Sequence, residues 1–333
     1  MKISELTLYR CPKCNSKLRI SKSHSIKNEI MSGLLIDDKG HKYHISDGFP
    51  IFFNTQKINK SDSLSKVEYD QTFHTYDDGM DFFYSTLGLN GKAFDKSLID
   101  LLDLKSHHKV LEIGAGTGRH SKFIINKLDK NNIFYASDIS SNMLNVFRSK
   151  IKRKKISFSL INASSLPFPN GTFDRVFHFG GLNNFGNITK AFKEMTRVTK
   201  IGGTIVVGDE GIAPWLKNSI FGKMLTNSNP LFNNKIPIEH LPDNARNVSV
   251  KYIANGSFYI IKYNVDEGLP YLNTSIEFPG QRGGNYTTRL FGNLEGVSLD
   301  TKNLMEKAAK KSGKSFHKWL EDTINERIKI DLK

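Results

Sequence analysis

Short apolar runs alternate with amphipathic segments through the middle of the chain. The apolar runs predict strands at 109–113, 133–137, 156–161, 175–179 and 204–207. Apolar residues at helical spacing between these runs predict helices at 118–128, 141–150 and 187–199. Strands that alternate with helices of this length are typical of a parallel sheet covered by helices on both faces. The pattern therefore predicts an α/β fold.

Two further strands are predicted downstream, at 248–253 and 258–265. They flank Asn255-Gly256, and both of these residues tolerate a positive φ, which favours a tight antiparallel hairpin. We expect this hairpin to extend the parallel sheet at one edge.

The pattern changes at both ends of this region and divides the chain. Residues 1–54 predict a small β-rich module, and the polar residues 55–67 predict a linker. The main domain is predicted to span 68–286, with a Pro- and Asn-rich insert at about 216–247. In the tail, 287–333, we expect Asp300 and Ser315 to cap two helices.

Composition narrows the class of protein. The chain has 333 residues, of which 38% are hydrophobic and 24% charged, as expected for a globular protein with a substantial core. The sequence lacks an apolar run long enough for a membrane span and the apolar stretch of a secretory signal. Two cysteines are too few for a disulfide framework. We expect a cytoplasmic protein.

The net charge of +15 raises the possibility of nucleic-acid binding. However, the basic residues are mostly lysines spread along the chain, and arginine, the better partner for phosphates and base edges, is scarce. The charge therefore leaves a nucleic-acid partner open without favouring it.

The segment Val110–Gly118 runs from a buried strand through a glycine-rich turn into a helix. Its glycines allow the backbone to bend sharply and a ligand to lie against it, and amides at the start of the helix face that ligand. Dinucleotide enzymes and ordinary tight turns have similar strings, so this turn alone does not select a cofactor.

Asp138 ends the second predicted strand, some 20 residues after the glycines. An acid at this place can accept hydrogen bonds from ribose hydroxyls. The alternative is a helix N-cap, but Ser140 or Ser141 can fill that role. Ile139 and Met143 are placed to pack on an adenine.

A third motif, Asn162–Asp174, leads into the fourth predicted strand. The three motifs, in this order and spacing, closely resemble those of class I methyltransferases of the ubiquinone/menaquinone-biosynthesis-like type (methyltransferase type 11), over roughly residues 68–210. The resemblance implies a Rossmann-like methyltransferase sheet with S-adenosyl-L-methionine as cofactor. The edge hairpin also favours this class over dehydrogenases, whose sheets usually stay parallel. In addition, the sequence shows no set of residues typical of hydride transfer.

The resemblance also implies a set of cofactor-binding residues: Glu112, Gly114, Ala115, Gly116, Asp138, Ile139, Met143, Asn162, Ala163 and His178. The turn Gly114–Gly116 would contact the methionine part, Asp138 the ribose, and Asn162 with Ala163 the adenine edge. His178 and Phe179 would line the methyl-transfer cavity. One position departs from the family, which usually has Asp where this chain has Asn162; an amide both donates and accepts hydrogen bonds and remains compatible with adenine.

Methyl transfer from a sulfonium is an in-line displacement, so the enzyme mainly orients the reactants and excludes water. A general base is needed only if the acceptor loses a proton. Candidates for this role are His178, Glu210 and Tyr76, with His120 and Asp209 also near strand ends. A purely structural role stays open for each.

Cys11-Pro12-Lys13-Cys14 resembles the first half of the small zinc-ribbon modules that precede some methyltransferases. A closed zinc site has four ligands, typically from two Cys-x-x-Cys pairs. Ile36 and Lys39 stand where the second pair would fall, and His41 or His44 is poorly spaced to replace it. We therefore expect a degenerate ribbon without a metal.

The tail resembles the helical half of ribbon-helix-helix proteins, in which two chains share a strand ribbon. Thr287–Phe291 is the predicted strand, and a homodimer is the expected consequence. DNA binding and a helical cap on the core remain alternatives.

Three functions follow from these observations. The first is a methyltransferase with a small-molecule acceptor, which the large insert and the scarcity of arginine favour. The second is an rRNA or tRNA base methyltransferase, suggested by the charge and the ribbon-like module. The third is a DNA-binding regulator that uses the cofactor fold as a ligand sensor.

Overall fold

The computed structural model describes residues 1–54, 58–151, 155–291 and 298–333. The chain forms two compact units, Met1–Gly268 and Leu269–Lys333. The first unit contains an N-terminal antiparallel sheet and the large α/β sheet. In the described residues of the second unit, an irregular segment, 269–285, precedes three helices.

The N-terminal sheet has four antiparallel strands in sequential order. Their bounds are β1 Arg19–Ile26, β2 Glu29–Ile36, β3 Lys42–Ser46 and β4 Phe49–Pro50. Buried aromatic residues of this module pack in one hydrophobic cluster with the large sheet, among them Tyr9, which contacts both Phe52 and Phe168. The predicted β-rich module is therefore packed on the main domain, within the same unit.

Seven strands form the large sheet, in the order β10-β11-β9-β8-β5-β6-β7. Their bounds are β5 Val110–Ile113, β6 Phe134–Asp138, β7 Ile156–Leu160, β8 Phe173–Phe179, β9 Thr199–Glu210, β10 Ala245–Ile253 and β11 Phe258–Val265. Strands β5 to β9 are parallel, and β11 joins β9 in antiparallel fashion with β10 outside it. The predicted Rossmann-like α/β sheet with an antiparallel edge hairpin is confirmed.

Seven helices belong to the first unit among its described residues: α1 Lys60–Thr72, α2 Tyr76–Thr86, α3 Gly91–Asp100, α4 Ser121–Lys127, α5 Ser141–Lys150, α6 Ile188–Val198 and α7 Ile220–Ser228. The apolar faces of α3, α4, α5 and α6 are buried. The predicted insert at about 216–247 contains α7 and two short 3₁₀ turns, Pro230–Asn233 and Ile238–His240.

The hairpin turn is longer than the sequence predicts. Ile253 pairs with Phe258, so four residues connect the strands, and Ala254 as well as Asn255 and Gly256 has a positive φ. The Asn-Gly pair marks the turn correctly but does not form it alone.

The expected linker at 55–67 is wrong in its second half, because α1 begins at Lys60. The Asn59 side chain caps this helix by accepting a hydrogen bond from Ser61 N at 2.8 Å. The helix has little hydrophobic periodicity because the face that it turns inward is partly polar, including the buried Asp62. Residues 55–57 lie outside the described residues.

The second unit contains α8 Tyr286–Phe291, α9 Leu299–Lys311 and α10 Phe316–Asp331. The strand predicted at Thr287–Phe291 is wrong, because Asn285 caps α8: Thr288 N donates to Asn285 Oδ1 at 2.9 Å, and Asn285 N donates to Thr288 Oγ1 at 2.9 Å. Ser298, not Asp300, caps α9, and Ser315 caps α10 as predicted. Without that strand, a homodimer through this tail stays a prediction.

Within the described residues, every helix is too short or too polar to cross a lipid bilayer.

Candidate functional site

The order of the strands creates a crevice between β5 and β8. After β5 the chain proceeds to β6 and β7 on one side of the sheet, then returns to β8 and β9 on the other. Loops at the carboxyl ends of β5 and β8 therefore diverge, and open α/β sheets bind their ligands at such a switch point.

A cavity lies at this place. Loops after four strands and the helices α1 and α2 line it: Asp62, Ser65, Tyr69, Tyr76, Ile113, Gly114, Gly116, Asp138, Ile139, Met143, Ile161, Asn162, Ala163, His178, Phe179, Gly180, Gly181, Asn184 and Phe185.

Close packing between the glycine-rich turn and β8 explains why position 114 is a glycine. Gly114 has a φ of +65°, and a Cβ added there would lie 3.0 Å from Nδ1 of His178. Ala115 N donates to the Ser137 carbonyl at 2.9 Å, which ties the turn to β6. The backbone of the turn is therefore exposed toward the cavity without side chains that would fill it.

Asp138 stands at the end of β6 with its carboxylate in a fixed orientation. Gly116 N donates to Oδ2 at 2.8 Å, and Ser140 N donates to Oδ1 at 2.9 Å. Burial raises the pKa of this carboxyl, while hydrogen bonds from Ser140, Gly116 and Ile139 lower it, with a net increase. Ser140 caps α5 through Met143 N, so Asp138 is not the N-cap and remains free to accept further hydrogen bonds in the cavity.

Asn162 and Asp62 form a polar pair in the wall of the same cavity. Asn162 Nδ2 donates to Asp62 Oδ2 at 2.8 Å, and Gly186 N donates to Asp62 Oδ1 at 2.9 Å. The Asn162 Oδ1 accepts from Ser164 N at 2.9 Å. The amide is thus held by its neighbours, and the carboxylate beside it is supplied by α1.

His178 is a neutral, buried imidazole at the cavity. Its Nδ1 lies 2.8 Å from the Ile113 carbonyl, so Nδ1 carries the proton and Nε2 has a free lone pair. Burial lowers the pKa of His178 to about 4. Among the described residues, Nε2 has no hydrogen-bond partner although it is buried. Phe185 packs against the ring, with 4.7 Å between centroids.

Residues 111–207 match the family model described as Methyltransferase domain. The match confirms a methyltransferase domain at these residues, and the predicted bounds of 68–286 stay a prediction. With it, S-adenosyl-L-methionine is confirmed as the cofactor of this domain.

Two curated relatives are methyltransferases whose names refer to ubiquinone or menaquinone. The chain is 32% identical over 159 residues to ubiquinone/menaquinone biosynthesis C-methyltransferase UbiE of Neisseria meningitidis serogroup C, covering 46% of this chain and 64% of the relative. It is 30% identical over 143 residues to demethylmenaquinone methyltransferase of Bacteroides fragilis, covering 42% of this chain and 54% of that one. The chain thus spans less than two thirds of either relative.

Among solved structures, the chain is similar to phosphoethanolamine N-methyltransferase 2 of Haemonchus contortus in complex with S-adenosyl-L-methionine. The TM-score is 0.49 at 14% identity, and the match covers 74% of this chain and 71% of the other.

Eight of the ten predicted cofactor-binding residues line the cavity of the methyltransferase domain: Gly114, Gly116, Asp138, Ile139, Met143, Asn162, Ala163 and His178. Glu112 and Ala115 lie behind this wall. The Glu112 carboxylate accepts a hydrogen bond from Ser121, and burial raises its pKa to about 8. Glu112 therefore supports the turn from behind, as a mostly protonated acid at neutral pH.

The other proton-transfer candidates differ in position. Tyr76 lines the cavity beside Tyr69, with 6.2 Å between ring centroids, and burial raises the pKa of both phenols, so they remain hydrogen-bond donors. Glu210 is not part of the cavity wall. Asp209 is fully buried and accepts hydrogen bonds from Asn183 N at 2.5 Å and Gly181 N at 3.2 Å.

His120 is also outside the wall, because its Nε2 faces Asp95 Oδ1 at 3.4 Å behind the glycine-rich turn. The structure therefore leaves His178 and Tyr76 as the candidates in contact with the cavity.

Sequence reasoning missed Asp62 and Ser65, which were assigned to the linker. The signal was present in their spacing, since Asp62, Ser65 and Tyr69 follow one another at three and four residues, as on one helix face. This helix face was not recognised because it is polar, and the sequence was searched for apolar residues at helical spacing.

Proposed function

We propose that the protein is an S-adenosylmethionine-dependent methyltransferase that transfers a methyl group to a small-molecule acceptor. The observation that carries this proposal is the fixed carboxylate of Asp138, which opens into the same cavity as the bare backbone of Gly114–Gly116. A ribose needs a pair of acceptors and a methionine chain needs room beside the backbone, and this arrangement offers both.

The residues of the wall divide between the parts of the cofactor. Asp138 would hold the ribose hydroxyls, Ile139 and Met143 would flank the adenine, and Asp62 with Asn162 would meet its edge. When bound, the cofactor supplies an activated methyl group for in-line displacement. The chain itself orients the reactants and excludes water, because α1 and α2 contribute Tyr69 and Tyr76 to the wall of the cavity.

His178 supplies the chemistry for an acceptor that carries a proton. Its Nε2 is unprotonated over the whole neutral range, since burial keeps the pKa near 4, and Nδ1 is committed to Ile113. A donor group of the acceptor that reaches this buried nitrogen would find an unoccupied lone pair to receive its hydrogen bond. The low pKa makes this nitrogen a weak base, which suits acceptors that are already acidic or that need only orientation.

The small-molecule acceptor is supported by the cavity and by the arginines. Phe179, Phe185 and Ile161 provide an apolar part of the wall. Arg119, Arg175 and Arg197 are bonded within the protein, to Asp81, the Leu102 carbonyl and Glu194. These three arginines are therefore not free to form a surface that binds the phosphates of a nucleic acid. The names of the quinone-methylating relatives agree with an apolar acceptor.

Calorimetry with S-adenosylhomocysteine tests the cofactor assignment. We expect the wild type to bind it and Asp138→Asn to bind at least tenfold more weakly, since loss of one charge-assisted hydrogen bond costs about 1.5–3 kcal/mol. Asp78→Asn, an exposed acid on α2, is the matched control and should bind like the wild type. Tight binding of a nicotinamide dinucleotide with no heat from S-adenosylhomocysteine would overturn the assignment.

The acceptor class is tested with methyl-labelled cofactor in fractionated cell extract. Label in the organic-soluble small-molecule fraction is the expected result. Label confined to RNA would replace the proposal by base methylation.

A further inference from the structure

Four metal-ligating side chains of the N-terminal module meet at one point. Cys11 and Cys14 lie at the two ends of a turn near the N-terminus, which we call the first turn. Asp37 and His41 lie in the connection between β2 and β3. One ligand atom from each lies within 4.8 Å of all the others. Cys11 and Asp37 are buried, and Cys14 and His41 are partly buried.

The distances between these atoms suit a tetrahedral ion. His41 Nδ1 lies 3.5 Å from Cys11 Sγ and 3.7 Å from Cys14 Sγ. Bond lengths of about 2.3 Å to sulfur and about 2.0 Å to nitrogen give a tetrahedral S–N separation of about 3.5 Å. Asp37 Oδ2 is closer, at 3.0 Å from Cys14 Sγ and 2.7 Å from His41 Nδ1, and a modest outward shift of this one oxygen completes the geometry.

Backbone hydrogen bonds hold both turns in place and orient the aspartate. Asn15 N donates to the Cys11 carbonyl at 2.7 Å, which closes the first turn. Lys39 N and His41 N donate to Asp37 Oδ1 at 2.9 Å and 2.8 Å, so this oxygen is occupied and Oδ2 faces the cysteines. Tyr43 Oη lies 3.2 Å from Cys11 Sγ, where its proton can stabilise a thiolate.

We propose that Cys11, Cys14, Asp37 and His41 bind one Zn²⁺ ion. Two thiolates and an imidazole are soft and borderline ligands that favour zinc over magnesium or calcium, and an aspartate is an accepted fourth ligand. A set of four protein ligands leaves no open position, so the site is structural rather than catalytic.

This proposal revises the expectation of a degenerate ribbon without a metal. That expectation looked for a second Cys pair, at Ile36 and Lys39. The chain instead places its ligands at 37 and 41, where a turn with Gly40 at a φ of +83° brings an i,i+4 pair to the same side.

The metal would stabilise the contact between the module and the large sheet. Tyr9, two residues before Cys11, is fully buried, and its hydroxyl lies 2.8 Å from Ser157 Oγ on β7. Arg10 N donates to the Pro167 carbonyl at 2.8 Å. Fixing the turn at Cys11–Cys14 therefore fixes the segment that packs against the methyltransferase domain.

The metal content of the full-length protein, purified without chelators and reconstituted with zinc, tests the proposal. We expect about one zinc per chain in the wild type and at least a tenfold loss in Cys14→Ser, Asp37→Asn and His41→Gln. Asp38→Asn and His44→Gln alter exposed neighbours of the same residue types and should retain full occupancy.

Two measurements on the wild type do not depend on variants that fold poorly. Cobalt substitution should give the visible bands of a tetrahedral site and a thiolate-to-metal charge-transfer band, which must come from Cys11 and Cys14 because the chain has no other cysteine. Zinc should protect both thiols from a disulfide reagent until a chelator is added. Unprotected thiols in zinc-treated protein, or full zinc in both Asp37→Asn and His41→Gln, would overturn the four-ligand site.

Discussion

Asn162 Nδ2 donates a hydrogen bond to Asp62 Oδ2 at 2.8 Å, across 100 positions of sequence. Methyltransferases that the chain resembles usually have an aspartate at the position of Asn162. Helix α1 thus places a carboxylate beside this amide in the wall of the cavity. We expect this carboxylate to accept a hydrogen bond from the exocyclic amine of a bound adenine.

Replacing this carboxylate tests the relationship. We expect Asp62→Asn to weaken S-adenosylhomocysteine binding by roughly tenfold or more, because a charged acceptor is replaced by an amide. Glu68→Gln, an exposed acid on the same helix, should leave the affinity unchanged in calorimetry. The exchange of both residues, Asp62→Asn with Asn162→Asp, should recover most of the affinity. Equal binding by Asp62→Asn and the wild type would exclude this role.

Glu112 should make the ligand-free protein less stable as the pH rises. Its pKa is raised by burial from 4.5 to about 8, so between these values the folded state holds a proton that the unfolded state has released. The free energy of unfolding therefore falls as the pH rises, by up to about 4 kcal/mol between pH 5 and 8 for this group. Urea titrations should show that Glu112→Gln removes this decrease. The exposed Glu239→Gln should keep it, and an identical slope in both variants would contradict the prediction.

His178 should act in the opposite direction, at lower pH. Burial lowers its pKa from 6.5 to about 4, so the unfolded state binds a proton before the folded state does. Stability is complete above pH 6.5 and is lost as the pH falls toward 4, by about 3 kcal/mol. We expect His178→Gln to flatten the unfolding free energy over this range and the exposed His107→Gln to leave it unchanged. If the wild type and His178→Gln show the same pH dependence of the unfolding free energy between pH 4 and 6.5, the assignment is refuted.

Gly114 and Gly116 should respond differently to alanine. Both have a positive φ, which costs an L-residue roughly 1–2 kcal/mol. Only the Cβ at 114 would meet the His178 ring, at 3.0 Å, whereas the one at 116 meets nothing within 4 Å. We expect Gly114→Ala to lose about 1–3 kcal/mol more than Gly116→Ala in urea unfolding of the ligand-free protein. Equal losses would mean that the imidazole moves aside.

The parts of this molecule that could be predicted from sequence depend on local, apolar signals. Strands β5 to β8 are largely buried and therefore appear as short, mainly apolar segments, and the glycine-rich turn between β5 and α4 follows from backbone sterics. Asp138 was placed correctly because its position at a strand end follows from the same pattern.

What could not be predicted depends on polar side chains that meet only in the fold. Asp62 joins the site because α1 contacts the loop after β7. The spacing of Asp62, Ser65 and Tyr69 marks one helix face but does not show that this polar face is the one turned inward. Asp37 and His41 approach the cysteines through a turn outside the usual ligand spacing. At Thr287–Phe291 the ribbon-helix-helix resemblance implied a strand, but Asn285 forms local hydrogen bonds with Thr288 that cap a helix instead.

The contact between the N-terminal module and β7 has a consequence for truncation. Ile51 forms a parallel bridge with Leu160, and Phe52 N donates to the Leu160 carbonyl at 2.9 Å, so the module occupies backbone groups at the outer margin of the sheet. A shortened protein that begins after Phe52 would expose those backbone groups and the apolar surface that Phe52 covers. An exposed strand edge of this kind can pair with a strand of another molecule. We therefore expect removal of the module to expose this edge of the sheet and to increase self-association of the remaining domain.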